Sequence, residues 1–404
     1  MVPKGWIKAP VRDFGHVSAG RQRSPNFTKG TLRPYLRVAN VFENYIDTTD
    51  VNEMMFTESE YQRYKLEIGD ILLNEGQSTE LVGRPAMYVG YPENCCFQNT
   101  LVRFKADHDN LDASYALQRF LLCLYDGTFQ AISKKTTSIA HLGVSRFAEL
   151  NLLWPPLVEQ QKITQILSTW DQAISATEKL LENSQQQKKA LMQKLLTGKK
   201  RLLDEDGVRF SGAWKHIKLR SLIKEIKRDK EENPNNIELL TVKLHNKGVI
   251  ASGKFPNSTE GGRPYYKRFA GELIIGRQNL HNGGVAIVPS ECNGLIASNA
   301  ISSFEVLKDC DINFILSIMS TSHFRYVIDN LTGGTGQKEV SIRELLNVFV
   351  FIPCIEEQQK IAKVISLANQ EIDTLQKKLD CLKQEKKALM QQLLTGKKRV
   401  KVAA

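Results

Sequence analysis

The chain is 404 residues long, 42% hydrophobic and 25% charged, a globular composition sufficient for two or three domains that excludes a tail or a linker. Lys and Arg outnumber Asp and Glu by 55 to 44, giving a net charge of +11 and a pI near 9.2, so an acidic polymer is the expected partner, nucleic acid ahead of a membrane surface. Seven cysteines without a C-x-x-C or Cys/His cluster set aside a disulfide framework and a structural zinc site; with no apolar leader and no run of about 18 apolar residues, the protein is expected to be cytoplasmic and off the membrane.

Along the chain, short β-branched and aromatic runs between Gly and Pro turns predict strands at Leu36–Phe42, Asp70–Asn74 and Ala86–Val89. A Thr/Gly-rich loop (Lys134–Gly143) and a strand-like run, LNLLWPP, then lead into a helical stretch after Pro155. There the apolar residues Ile163, Leu167, Trp170, Ile174 and Leu181, then Leu191 and Leu195, recur at spacings of three and four. Proline suits the first helical turn, and Gly198 followed by lysines is a stop signal with cations at the C-terminal end of the dipole. The pattern then begins again. Strands are predicted at Leu239–Lys243 and Val285–Val288, followed by a second Thr/Gly loop (Leu331–Val340), the run NVFVFIP and a second helix after Pro353. Its stripe runs through Ile361, Ile365, Ala368, Ile372, Leu375, Leu379, Leu382, Leu389 and Leu393, interrupted only by Lys386, and it ends at Gly396.

The restart is a true internal repeat. Glu159–Arg201 matches Glu357–Arg399 at a fixed offset of 198 residues, with 24 of 43 positions identical and no gap. The segments between are weaker copies: GWIKAPVRDF (5–14) resembles AWKHIKLRSL (213–222), YKLEIGDILL (64–73) resembles KRFAGELIIG (267–276), and FQNTLVRF (97–104) resembles ASNAISSF (297–304). The expected fold class is mixed α/β (α+β), with globular domains over 1–154 and 202–352 alternating with long helical segments over 155–201 and 353–404. Roughly 40 helical residues make a rod of about 60 Å, and a rod with one apolar stripe needs a partner. The other copy is the candidate, paired antiparallel because the domain between them brings the chain back. Two independent surface helices are the alternative.

The positive excess lies mainly in the helical copies: +4 over 159–201 and +6 over 357–404, against 0 over 1–158 and +1 over 202–356. Within the near-neutral domains it is polarised. Residues 1–42 carry Lys4, Lys8, Arg12, Arg21, Arg23, Lys29, Arg33 and Arg37 against Asp13 alone, and 215–277 is similarly rich, the footprint of a domain that meets phosphates on one side. Catalytic signatures are missing: no glycine-rich dinucleotide turn, no P-loop in Gly333–Lys338, and Trp154 where an amino-methyltransferase motif needs Asn or Asp before its prolines. Glu225-Ile226-Lys227 has the form of a nuclease metal site but no upstream acidic partner, so neither catalytic nor metal-ligating residues are assigned.

Two divergent domains, each ending in Pro-x-x-x-E-Q-Q-K-I before a long helix (VEQQKI at 158–163, EEQQKI at 356–361), with the duplicated KKALMQ-LLTGKKR, resemble the specificity (S) subunits of type I restriction-modification systems. The resemblance covers the whole chain. It implies a non-catalytic reader of double-stranded DNA with two target-recognition domains, each taking one half of a bipartite asymmetric site. It also implies an antiparallel helical pair that spaces the half-sites and docks two methyltransferase (M) subunits, through which restriction (R) subunits join. No cofactor is expected on this chain; S-adenosylmethionine, ATP and Mg²⁺ would belong to the partners. Base readers are expected in the polar loops after the 64–73 and 267–276 segments, in the Thr/Gly loops, and near the basic N-terminal stretch, because Arg suits guanine and Asn or Gln adenine. These are Arg21, Arg23, Gln77, Ser78, Lys134, Lys135, Thr136 and Thr137 in the first domain, and Arg277, Gln278, Asn279, His281, Gln337 and Lys338 in the second. The helix-pair seam is expected to set Ile163, Leu167, Trp170, Ile174 and Leu181 against Ile361, Ile365, Ile372, Leu375, Leu379 and Leu382. The competing reading is a coiled-coil scaffold whose basic ends bind nucleic acid without reading sequence.

Overall fold

The computed structural model describes residues 2–24, 28–136, 138–257, 261–331 and 339–401. It divides into two units, Met1–Glu178 with Lys377–Ala404, and Lys179–Gln376. Each globular segment is therefore built together with half of each long helix.

In the first unit the strand Ile7–Pro10 pairs antiparallel with Asn151–Trp154, the run that leads into the long helix. A four-stranded antiparallel sheet follows in the order Gly15–Ala19, Leu101–Ala106, Ile71–Asn74, Pro85–Met87. Its apolar face is covered by the helix Ala113–Tyr125. The rings of Phe104, Phe120, Phe129 and Phe147 meet mostly edge to face there, and Phe14 stacks on Trp154 at 4.7 Å. A smaller sheet joins Cys96–Phe97, Thr31–Leu36 and Asn52–Phe56. The strand predicted over Leu36–Phe42 is broken instead. Asn40, only 3% exposed, accepts the Arg37 N–H through its side chain and donates to the carbonyls of Asp47 and Asp50, so an Asn-built turn replaces the ladder before the two-residue strand Val41–Phe42.

The second unit repeats this framework. Lys215–Lys218 pairs with Phe349–Ile352, and its four-stranded sheet runs Ile223–Glu225, Ile301–Val306, Leu273–Gly276, Val285–Ile287, covered by the helix Ile312–Met319. The weak likeness of 5–14 to 213–222 thus corresponds to one element made twice: an edge strand, then a 3₁₀ turn (Val11–Phe14, Leu219–Ser221).

The long helices span Leu157–Leu195 and Ile355–Leu393, 39 residues each, or about 60 Å at the α-helical rise. Within each unit the first half of one lies against the last half of the other. In the first unit Ile163 and Leu167 share a buried cluster with Met390, Leu393 and Leu394, while Asp171 meets Lys386 at 2.6 Å and Glu178 meets Lys383 at 2.7 Å. In the second, Ile361 and Ile365 share a cluster with Leu195 and Leu196, and Ser184 donates to Glu371 at 3.3 Å. Residue numbers rise along one helix as they fall along the other, so the pair is antiparallel. The seam expected to set the two stripes face to face is thereby sharpened: the leading isoleucines of each helix meet the trailing leucines of the other, not each other. Leu181 and Leu379 are buried, and Trp170, Ile174, Ile372, Leu375 and Leu382 are half-buried. Lys386, the break in the stripe, is buried in the seam because Asp171 neutralises it.

The duplicated motifs are two parts of one joint. Glu159, 2% exposed, takes both oxygens to the guanidinium of Arg399 at 2.7 Å and accepts the Trp6 indole N–H at 3.0 Å. Glu357, fully buried, holds Arg201 in the same bidentate way at 2.7 Å. These hydrogen bonds raise the pKa of both arginines. Gln160 and Gln358, both fully buried, close the neighbouring contact. Gln160 accepts the Asp112 N–H and donates to the carbonyls of Pro155 and Asn110, so the long helix is fixed to the residue that caps Ala113–Tyr125. Gln358 does the same with Asp311, Pro353 and Asp309. Each helix stops at a left-handed glycine, Gly198 (φ 68°) or Gly396 (φ 71°), where the chain turns to deliver its arginine.

Arg201→Ala leaves the Glu357 carboxylate buried without its cation and should cost about 3 kcal/mol, measured as a fall in the urea unfolding midpoint. Arg201→Met with Glu357→Leu, which removes both charges at similar volume, should recover most of that loss.

Candidate nucleic-acid interface

The strand Ile71–Asn74 is wholly buried, and the chain leaves it into polar residues that cannot follow it into the core. Those residues form one strand, Gly76–Gln77, of a small antiparallel sheet with Ala140–His141 and Lys134–Lys135. The register sets Gln77 beside Ala140, Gly76 beside His141, and Lys134 and Lys135 on the far strand. Two of the expected recognition segments, far apart in sequence, are thereby joined. Lys134, Lys135 and Thr136 are exposed; Gln77 and Ser78 are half-buried. A Cβ at Gly76 would lie 3.3 Å from the His141 ring, which would have to shift by a few tenths of an ångström. Thr136 closes the hairpin, its N–H and hydroxyl both donating to the Ile139 carbonyl, and Ser78 turns the chain by accepting the N–H groups of Leu81 and Val82. Thr137 lies outside the described residues.

Arg21 is not placed as a base reader. It is 5% exposed, with its guanidinium paired to Glu60 at 2.7 Å, donating to the Met55 carbonyl and lying 4.7 Å from the Phe56 ring centroid. Other members of the basic N-terminal run are also engaged: Arg37 with Asp50 at 2.8 Å, Arg12 with Glu149, and Arg33 over Tyr61 at 3.5 Å. Lys4, Lys8, Arg23 and Lys29 are exposed, so the basic face is thinner than composition suggests. Sequence reading missed Glu75 and His141, which meet at 3.1 Å within the small sheet.

In the second unit the strand Leu273–Gly276 continues into a 3₁₀ helix, Arg277–Asn282. Arg277 is half-buried, its Nη2 held by Glu339 at 2.9 Å and by the Asn299 carbonyl at 2.8 Å. Gln278 is half-buried, Asn279 is exposed, and His281 Nε2 lies 2.9 Å from the Asn282 amide nitrogen. Gln337 and Lys338 lie outside the described residues. Two arginines of the basic 215–277 run serve the interior. Burial pushes Arg268 down to about 10 while it donates to Ser303 and the Ile301 carbonyl, and Arg228 grips Glu272.

This unit also carries a groove of about 1330 Å³ lined by Lys188, Lys189, Lys199, Lys247 and Arg325, with no acidic side chain on its walls. His216 stacks between the exposed rings of Phe349 and Phe351 at 4.7 and 4.4 Å along its floor. Among the described residues no three His, Cys, Asp or Glu side chains converge as a metal-binding group, and no helix is long and apolar enough to cross a membrane.

The type I restriction modification DNA specificity domain matches this chain twice, over residues 3–184 and 213–384. A putative type I restriction enzyme MjaX specificity subunit from Methanocaldococcus jannaschii is 24% identical, over 99% of this chain and 95% of its own. In fold, the chain is similar to the S subunit of a type I restriction-modification system from M. genitalium, with a TM-score of 0.56 at 15% identity over 96% of both chains. It is also similar to a chain from a study of complex assembly and conformational transition in the type I system, with a TM-score of 0.59 at 14% identity over 98% of both.

Arg21→Ala should lower the urea unfolding midpoint by the equivalent of about 2 kcal/mol, because it strips a buried ion pair, whereas Lys134→Ala and Lys135→Ala should change stability by less than about 0.5 kcal/mol. In salt-titrated DNA binding, each of those lysine variants should reduce the slope of log affinity against log salt by about one.

Proposed function

The chain belongs to the type I restriction modification DNA specificity family, with two such domains, and from that premise we propose that it reads a bipartite, asymmetric duplex target, one half-site per domain. The observation that carries this reading is the contrast inside the duplication. Both units repeat one framework of edge strand, four-stranded sheet and covering helix, yet the elements leaving the sheet differ: a hairpin sheet with Gln77, Lys134 and Lys135 in one, a 3₁₀ helix with Gln278 and Asn279 in the other. Like frameworks with unlike polar loops suit a reader of two different half-sites. On this reading Arg23, Gln77, Ser78, Lys134, Lys135, Thr136, Gln278, Asn279 and His281 remain candidates for base or phosphate contact.

The chain acts without catalysis of its own and binds no cofactor; S-adenosylmethionine, ATP and Mg²⁺ are held by partner subunits. Two methyltransferase subunits dock along the helical pair, and restriction subunits join through them. Support for docking comes from the basic groove beside the first long helix, whose exposed Phe349 and Phe351 suit an apolar contact with an acidic rim. The scaffold alternative relies on basic helix ends as a nucleic-acid surface. It is weakened because Arg201 and Arg399 at those ends are committed to Glu357 and Glu159.

Replacing residues 1–154 by the equivalent domain of a relative tests the modular reading, with the targets of the assembled complex mapped by methylome sequencing. One half-site should change and the other stay. A chimera that altered both halves would mean the domains read jointly, and one that bound every duplex alike would favour the scaffold.

A further inference from the structure

One backbone niche is filled in the two units by residues of opposite charge. In the first unit Glu75 follows the buried strand Ile71–Asn74; its N–H donates to the Thr100 carbonyl at 3.0 Å and its carbonyl accepts the Leu142 N–H at 2.7 Å. In the second unit Arg277 follows Leu273–Gly276; its N–H donates to the Ala300 carbonyl at 3.0 Å and its carbonyl accepts the Val340 N–H at 3.2 Å. The side chains then repeat one another's geometry. Glu75 Oε2 meets His141 Nδ1 at 3.1 Å, and Arg277 Nη2 meets Glu339 Oε1 at 2.9 Å. His141 and Glu339 each immediately precede the residue that makes the backbone bond.

The reversal of sign discriminates between roles. A phosphate or guanine contact at this niche would favour Arg277 and repel Glu75, so such a role cannot be common to both. What is common is the side-chain bridge, a hydrogen-bond contact between His141 and Glu75 in one unit and an ion pair between Arg277 and Glu339 in the other, which needs a donor facing an acceptor but not on a particular side. In the second unit the Val340–Arg277 backbone bond joins segments more than sixty residues apart, and in the first the Leu142–Glu75 bond extends the short ladder of Gly76–Gln77 with Ala140–His141; in both a side-chain tie beside that bond holds the orientation of the two segments. In the first unit that orientation sets Gln77 and Lys135 on either side of Ala140, with Lys134 beside His141. In the second it ties the start of the 3₁₀ helix with Gln278 and Asn279 to Glu339 and Val340, just before the helix Ile342–Leu346.

We propose that Glu75–His141 and Arg277–Glu339 are latches: positioning residues that hold the two recognition segments of each domain in register for its half-site. This rests on the reading of the chain as a bipartite DNA reader. All four side chains are partly exposed, between 23% and 41%, so these contacts add little to stability, and their effect falls on alignment.

The test uses the complete complex on the duplex it selects, with either half-site scrambled in turn. Arg277→Ala should reduce discrimination at the second half-site by more than about tenfold, leaving discrimination at the first half-site and the unfolding midpoint unchanged. Arg277→Glu combined with Glu339→Arg restores a bridge of reversed sign and should bring discrimination back to within about threefold, with the same base preference. In the first unit, Glu75→Ala and His141→Ala should each weaken the first half-site alone, and together no more than either does. A reversed pair as defective as Arg277→Ala, or one with a new base preference, would make Arg277 a base reader and overturn the proposal; additive losses for Glu75 and His141 would overturn it for the first unit. A wild-type complex indifferent to scrambling would refute the bipartite reading itself, before any variant is compared.

Discussion

A carboxylate removed from water must find a cation, and the rest of this structure follows from where Glu159 and Glu357 find theirs. Each sits at the start of one long helix, almost or fully buried, and each is answered by the arginine that ends the other helix, Arg399 and Arg201. Removing one partner strands a buried charge, so each joint can be satisfied only when the trailing end of one helix lies beside the leading end of the other. That is an instruction to pair antiparallel, written twice. The near-identity of the EQQKI and LLTGKKR segments in the two copies has a physical reading on these terms, because each copy supplies one half of two joints and must fit both.

The joints also fix the reading domains. Glu159 binds the Trp6 indole and Gln160 binds the residue that caps Ala113–Tyr125, so the helix, the edge strand and the helix covering the sheet are assembled around two consecutive side chains. Glu357 and Gln358 repeat this in the second unit, where Arg201 lies 5.9 Å from the Trp214 ring centroid. Between the joints, Asp171–Lys386 and Glu178–Lys383 specify register by charge where the apolar stripe thins. The polar loops stand outside this network. A framework held by buried pairs, with the polar loops outside them, allows those loops to diverge without disturbing the frame.

What the sequence disclosed divides along the same line. Helices announce themselves locally: apolar residues every three or four positions, a proline before and a glycine after, so both 39-residue helices and their pairing were legible, as was the duplication. Strands such as Ile71–Asn74 and Val285–Ile287 fell within their predicted runs for the same reason. Leu36–Phe42 failed because Asn40 uses its amide to build a turn, a tertiary choice that β-propensity does not register. Arg21 reads in the sequence as a base-contacting cation because its charge is visible there and its burial against Glu60 and Phe56 is not. Glu75 and His141 went unnoticed because each is unremarkable alone; only the ladder joining Gly76 to His141 brings them together.

We propose that the length of the helical pair sets the unread spacer between the half-sites. Inserting four residues after Ser184 and four after Glu371, which face each other across the pair, adds about 6 Å to both helices, so both joints can still close and no recognition loop is altered. The direct measurement is the target of the assembled insertion variant, mapped base by base. Both half-sites should be read as before, and the unread spacer should lengthen by about one to two base pairs of 3.4 Å each. An unchanged spacer accompanied by weaker binding would contradict the account: the helices would then hold the subunits together without measuring the DNA between the half-sites.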